Sequence, residues 1–378
     1  MTVAFSDSPE FLTAVYAIDG PESPARAKAE RICFDQTIEA EDHLLPPALR
    51  SIIVGHLEAL RHVPGGKFEA TIRFRADLLS GDCTDVLNVL FGTSSLRGNV
   101  TLLSFSMTGG LLSSWRGPRY GIQGLRRAVG VRHRPLLCAV LKPLGRSPHE
   151  LAVLAAQFVE GGVDMIKDDQ SLVDQPCCPF EERVARCADA IGETSARRGR
   201  ACLYFAHVSG ALDTMRRRAA QAKALGATGL LVAPGLTGFD SMRTLGLDDG
   251  LALPIASHPA LLGAAVSHDK SGVAPAVLYG LLPRLVGADV TVYPAFGSDY
   301  PMTREDCLSV AEHCRQSWGA LEPMMPGVGG RIGPERLAEL ASSLGRDTIF
   351  VLGSRVQKDS EGVVAAMKAF RRAFAESN

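Results

Sequence analysis

The N-terminal part of the chain alternates apolar and polar residues with a period of two. This period is typical of β-strands that have one buried face. The predicted strands are residues 11–18, 67–74 and 99–106. Pro24 suits the first turn of a helix over residues 24–34, and Asp82 suits the N-cap of a helix over residues 82–92. This order of elements predicts an α+β domain over residues 1–130.

From about residue 135 onward, short apolar runs alternate with amphipathic stretches long enough to form helices. The eight runs are residues 136–142, 163–169, 201–207, 229–234, 253–258, 288–294, 321–326 and 348–353. Their number and spacing predict a (β/α)₈ barrel over residues 131–378. A doubly wound sheet is the rival, but the glycine-rich first turn that it needs is absent. The fold class is therefore α/β, a C-terminal TIM barrel with an N-terminal α+β domain of the ferredoxin-like kind.

Charge and cysteine usage exclude several classes of protein. With 40 Lys+Arg against 41 Asp+Glu, the chain lacks the basic excess of a nucleic-acid binder. The chain contains no run of eighteen apolar residues, so no membrane-spanning helix is predicted. The start MTVAFSDSPEFL does not resemble a signal peptide. Nine cysteines, an odd number with no CxxC pair, indicate reduced thiols rather than a disulfide framework or a zinc site. We expect a cytoplasmic protein.

Polar residues that directly follow the barrel strands are the candidates for catalysis, because such barrels carry their chemistry at the C-terminal strand ends. They are Lys142, Lys167, Asp168, Asp169, Gln170, His207 and His258. His268 lies in a polar stretch and is expected at the surface.

Lys167-Asp168-Asp169 is the strongest of these signals. Alternation along a strand sends Lys167 and Asp169 to one face and Asp168 to the other. The lysine can form a Schiff base, act as a base, or accept CO₂ as a carbamate and so complete a hard oxygen site for Mg²⁺. A Lys–Asp ion pair that closes the barrel end is an equally good structural interpretation.

The other candidates also have two interpretations each. Lys142 either moves protons with a depressed pKa or reaches solvent from a strand end. His258, and less strongly His207, either binds a substrate group or is a structural histidine. Gly329-Gly330 and Gly353-Ser354 follow the last two predicted strands, where barrels commonly bind phosphate through backbone N–H groups, with Arg331 and Arg355 adjacent.

The segment GGVDMIKDDQSLVDQP resembles the metal-binding segment of the large subunit of ribulose-bisphosphate carboxylase/oxygenase (RuBisCO), whose pattern is GGxDxxKDDE. AVLKPLG resembles the catalytic-lysine strand of that family and LPIASHPA its fifth-strand histidine segment. LNVLFGTSSL and WRGPRYGIQGLR resemble the NxFG segment and the stretch that leads into the barrel. The resemblance covers most of the chain.

The resemblance implies a role for each matching residue. Lys167 is implied to be a carbamylated lysine, Asp169 a Mg²⁺ ligand and Lys142 a proton-transfer lysine. His258 is implied to bind substrate. Asn88 is implied to reach the active site of a partner subunit, which requires a homodimer. The residues expected to bind phosphate are Gly329, Gly330, Gly353 and Ser354.

Departures from the family pattern separate the chain from carboxylases. Gln170 stands at the position of the second metal carboxylate, where an amide oxygen ligates Mg²⁺ more weakly. Leu144, Pro259 and Val328 replace a lysine, an arginine and a serine. The sixth-strand segment ADVTVYPAFGSDYP lacks the family's histidine and its loop lysine. The chain is therefore identified as similar to RuBisCO-like proteins, the form that does not fix CO₂, in their short non-photosynthetic branch.

One intact phosphate site favours a monophosphorylated substrate. The resemblance implies Mg²⁺-assisted enolisation or isomerisation of a ketose such as 5-methylthioribulose 1-phosphate in methionine salvage. The alternatives are a decarboxylase or lyase that acts on a branched 3-oxo sugar-acid phosphate, and a non-catalytic pseudoenzyme indicated by Gln170 and by the serine replaced at Val328.

Overall fold

The structure, a computed structural model, describes residues 5–6, 8–40, 44–266, 271–358 and 360–375. His268 lies outside these residues. The chain forms two compact units. The first comprises the residues up to Trp115 together with Leu262–Leu281, and the second comprises Arg116–Leu261 and the residues from Leu282 onward. In the described part of the chain, no helix has the length and the apolar character that crossing a membrane requires.

The strands, numbered in chain order, are β1 (Phe11–Asp19), β2 (His56–Val63), β3 (Lys67–Arg75), β4 (Val100–Met107), β5 (Leu136–Leu141), β6 (Met165–Asp168), β7 (Leu203–His207), β8 (Gly229–Val232), β9 (Ile255–Ser257), β10 (Ser271–Val273), β11 (Val290–Pro294), β12 (Met325–Gly329) and β13 (Ile349–Leu352). The helices are α1 (Glu22–Asp35), α2 (Pro47–Ile53), α3 (Cys83–Phe91), α4 (Gly109–Ser113), α5 (Gly121–Val129), α6 (Pro148–Glu160), α7 (Phe180–Arg198), α8 (Leu212–Ala224), α9 (Pro234–Thr237), α10 (Phe239–Leu247), α11 (Gly263–Val266), α12 (Leu282–Leu285), α13 (Arg304–Arg315), α14 (Pro334–Leu344) and α15 (Val363–Ala375).

The first unit is built on a sheet with the strand order β10-β4-β1-β3-β2. The central strand β1 pairs antiparallel with β3 and β4. Its period-two pattern buries alternate residues, among them Leu12, Tyr16 and Ile18, as the sequence predicts. Helix α1 buries Ala25, Ala29 and Ile32 in this unit. The prediction of an N-terminal α+β domain is confirmed.

The second unit is a closed barrel of parallel strands in the order β11-β12-β13-β5-β6-β7-β8-β9. Pairing of β11 with β9 closes the ring, with Val290 opposite Ala256. Apolar side chains such as Val140, Phe205 and Met325 form one buried cluster. The predicted (β/α)₈ barrel is confirmed, and its C-terminal strand ends meet at one edge.

The compact units do not divide at residue 130. Helix α5 belongs to the barrel unit, because Ile122, Leu125 and Val129 pack in the barrel cluster. The segment Leu262–Leu281, between β9 and β11, belongs to the first unit, since its strand β10 pairs with β4. Strand β10 could not be predicted from the sequence, because its pairing partner β4 is far away in the chain and such a pairing produces no local sequence pattern.

The seventh barrel strand is Met325–Gly329 rather than residues 321–326. The shift moves Gly329 from the following loop into the strand, where it is buried and opposite Pro294. Glycine is required within this strand, because a Cβ at Gly327 would lie 2.8 Å from the Thr291 carbonyl oxygen. The predicted bounds of this strand were wrong, because glycines within an apolar run usually indicate the end of a strand.

Candidate active site

Strand β6 divides its charged residues between the two faces of the barrel wall. Asp168 points outward, where its Oδ2 accepts from Arg183 Nε at 3.3 Å and from the His207 backbone N–H at 3.0 Å. Its Oδ1 accepts from the Tyr204 hydroxyl at 2.9 Å. Asp168 and Arg183 are fully buried. Asp168 therefore anchors β6 to helix α7 and strand β7. Because side chains alternate along a strand, Lys167 and Asp169 point to the inner face of the barrel wall.

Lys167 is a buried amine at the end of β6. Its side chain is 4% exposed, and Nζ donates to the Asp168 carbonyl oxygen at 3.0 Å. Burial lowers the pKa of Lys167 below its ordinary value, although the nearby charge of Asp169 opposes the shift. A lowered pKa increases the neutral fraction of the amine, which is the form that accepts a proton or reacts with CO₂.

Asp169 lies between the two lysines of the site. Its Oδ2 is 3.2 Å from Lys142 Nζ, and its Oδ1 accepts from the Ser171 backbone N–H at 3.1 Å and hydroxyl at 2.7 Å. Burial alone raises the pKa of Asp169, but the Ser171 hydrogen bonds and the charges of Lys142 and Lys167 outweigh it, so the pKa falls below its ordinary value. Asp169 is therefore an oriented, ionised carboxylate.

Two histidines lie at the ends of the third and fifth barrel strands, His207 as the last residue of β7 and His258 directly after β9, and both are held as neutral rings. His207 is 1% exposed, and its Nδ1 lies 3.1 Å from the Leu172 carbonyl oxygen, so Nδ1 carries the proton. Its Nε2 is buried without a hydrogen-bond partner among the described residues. His258 accepts from the Ala260 N–H at Nδ1 over 3.2 Å, which leaves the ring proton on Nε2. Burial lowers the pKa of both imidazoles, and the charge of Lys167 lowers them further.

The glycines of the predicted phosphate site lie on neighbouring strands, because β12 pairs with β13 and β13 pairs with β5. Gly353 follows β13, and a Cβ there would lie 4.0 Å from Lys142 Nζ. Ser354 begins a 3₁₀ turn directly after it. Gly330 adopts a φ of 108°, and a Cβ there would lie 2.9 Å from Ser298 Cβ. Gly353 therefore lies close to Lys142, while Gly330 faces the loop after β11.

The remaining candidates occupy more exposed positions. Gln170 is half-buried and makes no side-chain hydrogen bond within the described ranges. Arg331 pairs with Asp299 at 2.7 Å and Arg355 with Glu335 at 2.9 Å, so both cations already have carboxylate partners. Asn88 lies in the first compact unit, on the exposed face of α3.

The side chains of this site suit a hard cation such as Mg²⁺ only when Lys167 carries a carbamate, which provides oxygen ligands. Within the described ranges, no group of three His, Cys, Asp or Glu side chains is arranged to hold a metal ion. Asp169 carries a carboxylate, and the next residue, the half-buried Gln170, carries an amide oxygen. A carbamate on Lys167 adds the oxygens and the negative charge that Mg²⁺ prefers, so the site fits the metal in this form.

Sequence reasoning missed the residues that orient this site. Ser171 fixes one oxygen of Asp169, and Arg183 and Tyr204 hold Asp168. A serine two residues after an aspartate is a local signal for such a bond. Arg183 and Tyr204 gave no signal, because their contacts join elements that are separate in sequence.

Residues 121–377 match the family model described as "Ribulose bisphosphate carboxylase large chain, catalytic domain". The chain belongs to the RuBisCO large-chain family. It is 33% identical to ribulose bisphosphate carboxylase-like protein 1 of Rhodopseudomonas palustris, over 92% of this chain and 93% of that protein. It is 31% identical to the 5-methylthioribulose-1-phosphate isomerase of Rhodospirillum rubrum, over 95% of each chain.

Further relatives place the chain among RuBisCO-like proteins. The chain is 29% identical to the 2,3-diketo-5-methylthiopentyl-1-phosphate enolase of Exiguobacterium sibiricum, over 96% of this chain and 92% of that enzyme. The crystal structure of a RuBisCO-like protein from Rhodopseudomonas palustris matches with a TM-score of 0.88, 31% identity and coverage of 98% of both chains. The loop after β11, residues 295–303, contains no lysine. The protein is thus a RuBisCO-like enzyme and not a carboxylase.

Proposed function

We propose that the protein enolises and isomerises a monophosphorylated ketose such as 5-methylthioribulose 1-phosphate by α-proton transfer, without CO₂ fixation. The observation that carries the proposal is the position of Lys142. Its amine lies 3.2 Å from Asp169 and 4.0 Å from the Cβ position of Gly353. A proton-transfer group therefore lies between an oriented carboxylate and the glycine loop proposed to hold the phosphate.

The cofactor of this proposal is Mg²⁺, held by a carbamate on Lys167, by Asp169 and by Gln170. The buried amine of Lys167, with its lowered pKa, supports carbamate formation, since only the neutral amine adds CO₂. When bound, the cation supplies a Lewis acid that acidifies the hydrogen next to the substrate's carbonyl group.

The protein's own residues bind the substrate and move the proton. Lys142 is partly exposed, with 30% of its side chain accessible, so its amine exchanges protons with solvent between turnovers. His258 carries its proton on Nε2 and donates it to a substrate oxygen. Backbone N–H groups of Gly330, Gly353 and Ser354 bind the phosphate. Gly329, the last residue of β12, positions Gly330 for this contact.

The test is proton NMR of 5-methylthioribulose 1-phosphate in D₂O, with Mg²⁺ and bicarbonate present. We expect deuterium to enter at the α-carbon and the ketose to convert to its isomer. Deuterium entry with loss of CO₂ from a branched sugar-acid phosphate supports the lyase alternative instead. Absence of exchange with every phosphorylated ketose contradicts the proposal.

Thermal melting distinguishes an enzyme from a pseudoenzyme without any substrate. Mg²⁺ with bicarbonate raises the melting temperature of a chain that forms the carbamate site, since a ligand that binds only the folded state stabilises it. The same salts leave the melting curve of a pseudoenzyme unchanged.

For its assembly we propose a homodimer in which Asn88 completes the active site of the partner. Its position on the exposed face of α3 supports a contact with a second chain. For its location we propose the cytoplasm, which is supported by nine cysteines that are all free thiols.

A further inference from the structure

A second group of charged side chains lies at the opposite end of the barrel from the candidate active site. Arg134 precedes β5, Asp164 precedes β6 and Arg200 precedes β7. These three strands are neighbours and parallel, so their N-terminal ends meet at one edge. The proposed function uses none of these residues, since its groups follow the C-terminal strand ends.

The carboxylate of Asp164 is saturated. Its Oδ1 accepts from Arg134 Nη2 at 2.7 Å and from Arg200 Nη2 at 2.8 Å. Its Oδ2 accepts from Arg134 Nη1 at 2.7 Å and from the Leu137 backbone N–H at 2.9 Å. A carboxylate offers about four acceptor positions, so Asp164 has none left for another cation.

Arg371, on α15, lies beside this cluster without a partner of its own. It is half-buried, and it makes no ion pair or hydrogen bond with any other residue that the structure describes. Its guanidinium occupies the space left by Gly162, where a Cβ would lie 2.6 Å from Nη1. Burial lowers the pKa of Arg371, and the charges of Arg200 and Arg134 lower it further, while the charge of Asp164 opposes the shift. An anion bound beside Arg371 offsets the repulsion between these like charges.

The charges near Arg371 do not balance. Arg198 pairs with Glu160 at 3.1 Å, and Arg134 and Arg200 share Asp164. Among the described residues, the guanidinium groups of Arg134, Arg198, Arg200 and Arg371 outnumber the carboxylates of Glu160 and Asp164 around the segment 160–164. This excess of positive charge favours a bound anion.

An open cavity of about 520 Å³ adjoins the Arg198–Glu160 pair of this cluster. Arg197, Arg198 and Glu160 line it together with Val364 of α15. Val364 and Arg371 are seven residues apart on α15 and so lie on the same face of the helix. The cavity has room for a small organic group attached to the anion.

We propose that Arg371, with Arg198 and Arg200, forms an anion site at the N-terminal end of the barrel that binds a phosphate dianion, either free or as a phosphomonoester. Guanidinium groups suit this ligand because their N–H pairs match two phosphate oxygens. The site is separate from the proposed phosphate loop at Gly353, and it does not depend on the enolase activity.

The test is calorimetric titration of the full chain with inorganic phosphate and, separately, with glycerol 3-phosphate at low ionic strength. Both titrations use the Ser354→Asp background, where a negative charge repels phosphate from the proposed loop at the other end of the barrel. We expect one phosphate bound per chain, and Arg371→Gln to weaken this binding at least tenfold. Tighter binding of glycerol 3-phosphate identifies a phosphorylated metabolite as the ligand, and tighter binding of inorganic phosphate identifies the free ion.

The matched control is Arg372→Gln, which removes the same charge from an exposed neighbouring position on α15 and leaves the affinity unchanged. Arg371→Lys keeps the charge but loses the paired N–H geometry, so we expect an intermediate loss. A local readout is the modification of arginines by phenylglyoxal, mapped by mass spectrometry, where phosphate protects Arg371 and not Arg372. Equal affinities in the Arg371→Gln and Arg372→Gln chains, or no protection of Arg371, overturn the proposal.

Discussion

Lys167 is the residue on which the proposed metal chemistry depends. Lys167→Ala and Lys167→Arg both remove the amine that forms a carbamate, so we expect deuterium exchange that depends on Mg²⁺ to be lost. The fold remains intact, because replacing one strand-end side chain costs about 0.5–3 kcal/mol of unfolding free energy. Exchange is measured by NMR and folding by thermal melting. Full activity of Lys167→Arg contradicts the carbamate assignment, since a guanidinium does not add CO₂ in this way.

Gln170 separates this chain from its carboxylase relatives. A carboxylate at this position adds negative charge to the proposed metal site, so we expect Gln170→Glu to tighten Mg²⁺ binding by about tenfold, roughly 1.4 kcal/mol. Turnover does not rise in proportion, since a more neutralised cation is a weaker Lewis acid. Calorimetric titration in bicarbonate buffer measures the affinity.

The control for this prediction is Gln123→Glu, which adds the same charge at an exposed position of α5. Its Mg²⁺ affinity stays at the wild-type value. If Gln170→Glu behaves like this control, Gln170 does not contact the metal.

At the scale of elements, one buried ion pair holds β6 in register with its neighbours. Arg183 on α7 and Asp168 on β6 are both fully buried, and Arg183 also donates to the Val173 carbonyl oxygen at 3.0 Å. Arg183→Met leaves the Asp168 carboxylate buried without its cation, so we expect a loss of about 3–5 kcal/mol in unfolding free energy. Urea unfolding measures it.

Arg186 supplies the comparison on the same helix. It is exposed and pairs with Glu182 at 2.8 Å, so Arg186→Gln costs less than about 1 kcal/mol. Equal unfolding midpoints for the two variants contradict the anchoring role of Arg183.

At the scale of the whole molecule, the proposed site requires two chains. Asn88→Ala and Lys167→Ala chains are each expected to be inactive alone. When equal amounts are mixed and allowed to exchange subunits, half of the dimers are hybrids, and each hybrid has one complete site. We therefore expect about a quarter of the wild-type activity to return, which follows from two-fold symmetry.

Sedimentation of the wild-type chain at micromolar concentration provides the independent check, and a dimer is expected. Mixed variants that remain inactive show that Asn88 does not serve a partner's site. A monomer in sedimentation contradicts the dimer itself.

Local patterns of the sequence determined much of this protein. The period-two segments gave β1, β3 and β4, and the eight apolar runs gave the barrel, because each depends only on neighbouring residues. The alternation in Lys167-Asp168-Asp169 also fixed which side chains share a face. Lys142 and Lys167 were found because they stand at strand ends, and a barrel brings all such ends together.

Contacts between distant segments were decided only by the tertiary structure. The sequence did not predict strand β10, which pairs with β4 although most of the barrel strands lie between them in the chain. It also did not predict that helix α5 belongs to the barrel unit. It did not reveal that Arg183 and Tyr204 hold Asp168, or that Arg371 is left without a partner beside Asp164. Such pairings depend on which elements meet in space, because burial and charge balance belong to a three-dimensional neighbourhood and have no period along the chain.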